Sequence, residues 1–123
     1  MRVALLLALC LFSTGVRAEF SAKDYLARHD AAKGDVEKFI WKRHIEDTQN
    51  GMSWANSTLV TGRHETPLYC TPNKVVLTSE QLVDILKRYL EQYKDYKDLG
   101  SQPMALVLLM ALQEDFPCNA AQK

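Results

Sequence analysis

The sequence lacks the residue clusters with which small enzymes carry out catalysis. No nucleophile lies in a Gly-x-Ser-x-Gly turn, and no Gly-rich phosphate-binding loop is present. The three histidines, His29, His44 and His64, lie in different segments, and no two of them have the spacing of metal ligands. We therefore predict that the chain is not an enzyme and holds no metal or cofactor.

The sequence also lacks an excess of basic residues. It contains 15 Lys and Arg against 15 Asp and Glu. Two of the 15 basic residues, Arg2 and Arg17, lie in the first 18 residues, which contain no acidic residue, so 13 basic and 15 acidic residues follow. A net charge near −2 argues against a nucleic-acid partner, which requires a basic face.

The N-terminal segment is the one long apolar run outside the predicted fold. A charged start at Arg2 precedes an apolar run from Val3 to Phe12, and small residues stand around Ala18. This pattern predicts a secretory signal peptide over residues 1–18, cleaved after Ala18, and hence an exported protein. Cys10 is interpreted as a passive apolar residue of that segment. No later segment is long and apolar enough to cross a membrane.

Cysteine is scarce in the remaining chain, where only Cys70 and Cys118 are left. Two cysteines in a small exported domain predict one disulfide. The alternative, a reactive thiol, requires a neighbouring base and a reducing compartment.

The stretch between the two cysteines predicts a helical hairpin. Thr78 and Gln81 form the sequence pattern of a capping box, and an apolar stripe with helical spacing follows. A second helix is predicted to begin at Pro103 and to run through Leu112 without a polar break, so we expect it to be buried on nearly all sides. The apolar stripe of the first helix contains Leu82, Ile85, Leu86, Tyr89, Leu90 and Tyr93.

The N-terminal half predicts two further helices. Ser21 is the expected cap of a short first helix, and Asp35 the expected cap of a long second helix over residues 36–60. Gly51 marks either a turn or a point within one continuous helix, and the helical spacing that resumes after it favours continuation. Gly62 is the predicted left-handed C-terminal cap.

These elements predict an all-α fold, a small bundle of four to five helices closed by one disulfide, with a single domain over residues 19–123. Leu68 and Tyr69 are expected to enter the core beside Cys70. Asn56 begins an Asn-Ser-Thr glycosylation sequon, but the tripeptide lies inside a predicted helix and is weak evidence by itself. The alternative interpretation is a polar residue that is buried between helices and hydrogen-bonded there.

The polar connector of the hairpin, residues 94–102, has two interpretations. A run of charges in a turn is commonly just a solvated turn. However, the connector joins two well-defined helices, and tyrosines such as Tyr93 and Tyr96 are favoured at protein interfaces. A binding loop is therefore the second hypothesis for this segment.

Five sequence features follow one another over about residues 50 to 118. They are Trp54-Ala55-Asn56; Leu68-Tyr69-Cys70-Thr71-Pro72; Leu77-Thr78-x-x-Gln81-x-x-x-Ile85-x-x-Tyr89-Leu90; Pro103 through Ala111-Leu112; and Phe116-Pro117-Cys118. In their order and spacing, and together with the N-terminal export signal, these features resemble the Rap/Tai immunity proteins of type VI secretion.

The resemblance implies a small all-helical periplasmic protein, often a homodimer, that binds and blocks a peptidoglycan amidase delivered by a competing or sister bacterium. In that family a loop protruding between helices plugs the active-site cleft of the amidase. Transferred to this sequence, the resemblance implies an effector-binding loop in the hairpin connector, with Tyr96, Lys97 and Asp98 as the foremost contacts. The implied residues are Lys94, Asp95, Tyr96, Lys97, Asp98, Leu99 and Ser101.

Two other hypotheses remain. A periplasmic acid-stress chaperone of the HdeA type is also a small helical protein with one disulfide, and it unfolds in part at low pH as its carboxylates lose their charge. A small periplasmic enzyme is the third hypothesis, and a free thiol at Cys70 or Cys118 would support it.

Overall fold

The computed structural model describes residues 19–72 and 75–118, so the predicted signal peptide lies outside the described residues. The described ranges contain four α-helices and no β-strand, which confirms the all-α prediction. A π-helix, Thr58–Gly62, and a 3₁₀-helix, Leu99–Ser101, complete the elements. The α-helices are α1, Ala22–Ala31; α2, Asp35–Ser57; α3, Ser79–Gln92; and α4, Met104–Asp115.

The start of α1 is tied to the start of α4. The Ser21 hydroxyl accepts a hydrogen bond from the backbone N–H of Asp24 at 3.1 Å, which confirms Ser21 as the cap. The backbone of residues 20–22 pairs with that of residues 102–104 through two hydrogen bonds of 3.0 and 2.8 Å. Both helices therefore begin at one fixed point of the molecule.

The cap of α4 comes from a distant residue. Pro103 occupies the N-cap position rather than the first helical position, which corrects the predicted start. Because proline has no side-chain acceptor, the carboxylate of Glu19 accepts the N–H of Ala105 at 2.7 Å instead. The negative charge of Glu19 is also favoured at a helix N-terminus.

Helix α2 runs through Gly51 without a break, as the continuing spacing predicted. Its N-cap is Gly34, so the predicted cap, Asp35, is wrong by one position; Asp35 lies in the first turn, where its charge is favourable. Gly34 has no side chain that could cap the helix. The side-chain hydrogen bond at this end comes from Glu37, whose carboxylate accepts the backbone N–H of Lys33 at 3.2 Å.

The end of α2 also differs from the prediction. Gly62 lies within the π-helix, and the left-handed residue is His64, with φ of 57°. The wider π-helical turn delays the reversal of the chain, and the N–H of Glu65 then donates to the Leu59 carbonyl at 2.8 Å. Histidine is one of the few residues that tolerate this conformation.

The connector after α2 is held by the Asn56 side chain. Its amide donates to the Tyr69 carbonyl at 3.0 Å and its oxygen accepts from the N–H of Leu68 at 2.7 Å. Asn56 is half-buried and bonds to the connector rather than between two helices. Tyr69 is buried and Leu68 packs against the core, as predicted.

The disulfide prediction is confirmed. Cys70 and Cys118 are bonded, with their Cα atoms 5.0 Å apart. Beside the bridge, the N–H of Cys70 donates to the Phe116 carbonyl at 2.8 Å. The amide of Gln113 donates to the Leu68 carbonyl at 3.1 Å. The connector is therefore fixed to the C-terminal end of α4 by one covalent and two hydrogen bonds.

The core lies where α3 and α4 face α1 and α2. The capping box of Thr78 and Gln81 is present at the start of α3, as predicted. Helix α4 is not buried on all sides, which corrects the prediction, because Leu106 is 45% and Met110 37% exposed. Three helices cover one side of α4 and leave the other open. The largest fully buried side chains are Tyr25, Ile45, Leu82, Leu86, Met104, Val107, Leu108 and Leu112.

Two leucines on α4 provide a matched test of this core. We expect Leu108→Ala to lower the free energy of unfolding by about 2–5 kcal/mol, because it removes a fully buried side chain and leaves a cavity. Leu106→Ala on the exposed side should cost less than about 1 kcal/mol. Chemical denaturation measures both, and equal losses would contradict the one-sided burial of α4.

Candidate protein-binding loop

The connector between α3 and α4, hereafter the hairpin loop, consists of residues 94–102. Its backbone forms successive three-residue turns. The N–H of Tyr96 donates to the Tyr93 carbonyl at 3.0 Å, that of Leu99 to Tyr96 at 3.1 Å, and that of Gln102 to Leu99 at 3.1 Å. A loop with this many internal hydrogen bonds has few alternative conformations to lose when it binds.

The first end of the hairpin loop is held to α4 through Glu114. The Tyr93 hydroxyl donates to one oxygen of that carboxylate at 2.7 Å, and the Gln92 amide donates to the other at 2.6 Å. The hydrogen bond to a carboxylate favours the protonated phenol and raises the pKa of Tyr93. The Tyr93 ring also lies 4.7 Å from that of Tyr89, centroid to centroid.

The second end is held to α1. Leu99 is half-buried and packs against the core, and Gly100 is buried. A Cβ at position 100 would lie within 2.7 Å of three side-chain carbons of Lys23. The absence of a side chain at Gly100 therefore allows the Lys23 stem to lie directly across the loop.

The residues implied in effector binding fall into two groups in the structure. Tyr96 is 70% exposed, and its ring meets that of Tyr93 edge-on at 6.0 Å. Leu99 differs from the others because it turns towards the core and anchors the loop. The exposed members are Lys94, Asp95, Tyr96, Lys97, Asp98 and Ser101.

A groove of about 500 Å³ lies between the hairpin loop, α1 and α3. Leu26 and Leu90 contribute apolar surface, while lysines line it from three different elements. Lys87 pairs with Asp30 at 2.9 Å. This groove could not be predicted from the sequence, because its residues lie far apart in the chain and carry no shared motif. The lysines are Lys23, Lys87, Lys94 and Lys97.

A second unpredicted feature is an aromatic cluster between α1 and α2. The fully buried Tyr25 donates its hydroxyl to the Trp41 carbonyl at 2.9 Å, and burial raises the pKa of Tyr25 far above its usual range. Its ring stacks on His44 at 5.8 Å, and the guanidinium of Arg28 lies 5.1 Å from the Phe20 ring. These contacts hold α1 onto α2.

The three histidines do not converge on one site in the described residues. His29 lies 3.0 Å from the Asp30 carboxylate, His44 lies in the aromatic cluster with its Nε2 buried and unbonded, and His64 is exposed. Within residues 19–72 and 75–118, no three His, Cys, Asp or Glu side chains converge as metal ligands do. In the same ranges no helix has the length and apolarity needed to cross a membrane.

Comparisons with protein-family models, with curated proteins and with solved structures gave no match for this chain. The hairpin loop is the candidate site because it combines an exposed aromatic side chain with a rigid support.

The hydrogen bond between Tyr93 and Glu114 predicts different rates of hydrogen exchange in the hairpin loop for variants of two nearby tyrosines. Tyr93→Phe removes the hydroxyl that donates to Glu114, so we expect several-fold faster hydrogen exchange at the loop amides of Tyr96 and Leu99. Tyr96→Phe serves as the control, because the loop is not held through its exposed hydroxyl. Hydrogen exchange followed by NMR measures both rates. Equal rates in the two variants would contradict the role of the Tyr93–Glu114 hydrogen bond in holding the loop.

Proposed function

We propose that this chain is a periplasmic immunity protein that binds a peptidoglycan amidase effector of type VI secretion and sterically blocks its active-site cleft. In this proposal the hairpin loop is inserted into the cleft, and Tyr96, Lys97 and Asp98 make the foremost contacts. The Rap/Tai resemblance of the sequence suggests the effector class, and the geometry of the loop supports the mode of inhibition.

The observation that carries the proposal is the exposure of Tyr96 on a loop fixed at both ends. A tyrosine presents a large contact area with few rotatable bonds, and such side chains dominate many interfaces. Because Glu114 holds one end of the loop and the packing of Leu99 and Gly100 holds the other, little conformational entropy is lost on binding.

Steric inhibition requires a rigid shape rather than catalytic groups. The disulfide between Cys70 and Cys118 fits an oxidising compartment such as the periplasm, and it fixes the connector to the end of α4. The bridge therefore supports the proposal of a rigid, exported inhibitor.

Binding to an amidase encoded beside the gene of this protein tests the proposal. We expect tight binding by calorimetry and loss of amidase activity. Tyr96→Ala should weaken binding by about 2 kcal/mol, the usual size for a central aromatic contact, and Lys97→Ala/Asp98→Ala should weaken it as well. The protein is expressed from its whole reading frame, and its processed N-terminus is determined by mass spectrometry.

A matched control separates the loop from the rest of the surface. Arg63→Ala/Glu65→Ala also removes one basic and one acidic exposed side chain, but in the connector after α2. Its affinity should equal that of the unchanged protein. Equal losses of affinity in both double variants would mean that the binding site does not lie on the hairpin loop. If the protein neither binds the amidase nor protects against it, the proposal is refuted for that amidase.

The acid-stress chaperone remains the alternative proposal, and one ion pair bears on it. Lys42 of α2 donates to the Glu80 carboxylate at the start of α3, and this hydrogen bond is the main cause that lowers the pKa of Glu80 to about 2. The lowered pKa means that this carboxylate loses its charge at a lower pH than a free glutamate does, so this one contact opposes unfolding in acid. A compact chain that binds no hydrophobic dye at pH 3 would count against the chaperone.

The same pair predicts how stability depends on pH. The pKa of Glu80 lies below the usual 4.5 in the folded chain, so the pair stabilises the fold fully above pH 4.5 and loses its effect as the pH falls towards 2. Glu80→Gln should therefore be slightly less stable than the unchanged protein at pH 7, and the difference should shrink between pH 4.5 and 2. Urea unfolding across this pH range measures the difference in stability, and Glu65→Gln, at an exposed site, is the control. A difference that does not depend on pH would contradict the lowered pKa of Glu80.

A further inference from the structure

The groove between the hairpin loop, α1 and α3 gathers positive charge that the chain as a whole does not have. Four of its eleven lining residues are lysines, and Glu91 is the one acidic residue among them. Over the whole sequence, by contrast, 15 basic residues balance 15 acidic ones. The lysines belong to three separate elements, so the fold brings them together. We call this site the lysine groove; its lysines are Lys23, Lys87, Lys94 and Lys97.

The lysine groove also has an apolar part. Leu26, Leu90 and Leu99 line it, and each of them is half-buried and packs against the core. Each leucine therefore keeps part of its apolar surface uncovered. Covering this surface with an apolar side chain would remove it from water, which favours binding. The volume of the groove, about 500 Å³, is that of an ordinary ligand site.

Two of the four lysines have carboxylate partners within the chain, and two do not. Lys87 and Lys94 each pair with an exposed carboxylate, at 2.9 and 3.0 Å. Across residues 19–72 and 75–118, neither Lys23 nor Lys97 takes part in an ion pair. Both are exposed. The groove therefore has positive charge that the fold itself does not neutralise.

The position of Lys23 depends on Gly100 of the hairpin loop. A Cβ at Gly100 would lie within 2.7 Å of three carbons of the Lys23 side chain. The glycine thus leaves the space in which this side chain crosses the loop and reaches the groove that Lys97 also lines. Two unpaired lysines from different elements therefore border one apolar surface.

An acidic peptide fits these features better than a nucleic acid or a lipid does. A nucleic acid requires a long basic face, whereas the positive charge here is confined to one groove. An acyl chain is best held in an enclosed apolar cavity, whereas the apolar part here consists of three half-buried leucines between lysines. A peptide with carboxylates on either side of an apolar side chain matches both the charge and the apolar surface.

We propose that the lysine groove binds a short acidic segment of another protein, in which carboxylate side chains flank an apolar one. The carboxylates pair with Lys23 and Lys97, and the apolar side chain covers Leu26 and Leu90. This binding is distinct from the steric blocking of a cleft by the hairpin loop. The proposal stands whether or not that loop blocks an amidase.

A pair of pentapeptides tests the proposal. The acidic peptide is Asp-Glu-Leu-Glu-Asp with both ends blocked, and the neutral peptide, Asn-Gln-Leu-Gln-Asn, has nearly the same shape without the charge. In an NMR titration of the processed full chain, the acidic peptide should shift the backbone amides of the residues that line the groove. The neutral peptide should bind at least about five-fold more weakly.

The salt dependence of binding provides a second readout. The affinity of the acidic peptide should fall as the ionic strength rises from about 0.01 to about 0.15 M, because the Debye length shortens from about 30 to about 8 Å over this range. The affinity of the neutral peptide should not change. An acidic peptide that binds equally well at both ionic strengths would contradict its pairing with exposed lysines.

Two double variants separate the groove from the net charge of the protein. Lys23→Gln/Lys97→Gln removes two charges from the groove without breaking an ion pair, so it should weaken binding of the acidic peptide by at least about five-fold. The matched control, Lys33→Gln/Lys38→Gln, removes two charges from exposed sites at the start of α2 and should leave the affinity unchanged. Circular dichroism checks that both variants are folded.

Several results would overturn the proposal. Equal losses of affinity in the two double variants would mean that the peptide responds only to net charge. Absence of binding, shifts confined to amides outside the groove, or equal binding of the neutral peptide would each exclude an acidic segment as the ligand. Inorganic phosphate is the last comparison. If phosphate shifts the same amides with the same affinity as the acidic peptide, the groove binds any small anion and the proposal fails.

Discussion

The burial of α4 is the constraint on which the rest of the structure depends. Fully buried side chains at Met104, Val107, Leu108 and Leu112 require cover from other helices, and α1, α2 and α3 supply it on one side. The disulfide at Cys118 then fixes the far end of this helix to the connector. Because it restricts the conformations of the unfolded chain, such a bridge raises the free energy of unfolding by roughly 4 kcal/mol. This is a large share of the total stability of a domain of this size.

The elements that the sequence predicts well are those set by local chemistry. A capping box specifies its own helix start because Thr78 and Gln81 are three residues apart, and the structure has both of its hydrogen bonds. The continuity of α2 through Gly51 follows from apolar spacing within one helix. The disulfide follows from counting cysteines outside the first 18 residues. The loop itself was located correctly between two helices, although its rigidity was not predictable.

The features that sequence reasoning missed all depend on residues far apart in the chain. Glu19 caps a helix that begins 85 positions later, and no local signal marks such a partner. The open side of α4 at Leu106 and Met110 depends on how many helices surround it, which composition does not specify. Residue identity alone predicts Gly62 as the left-handed residue, whereas the π-helical turn shifts that position to His64.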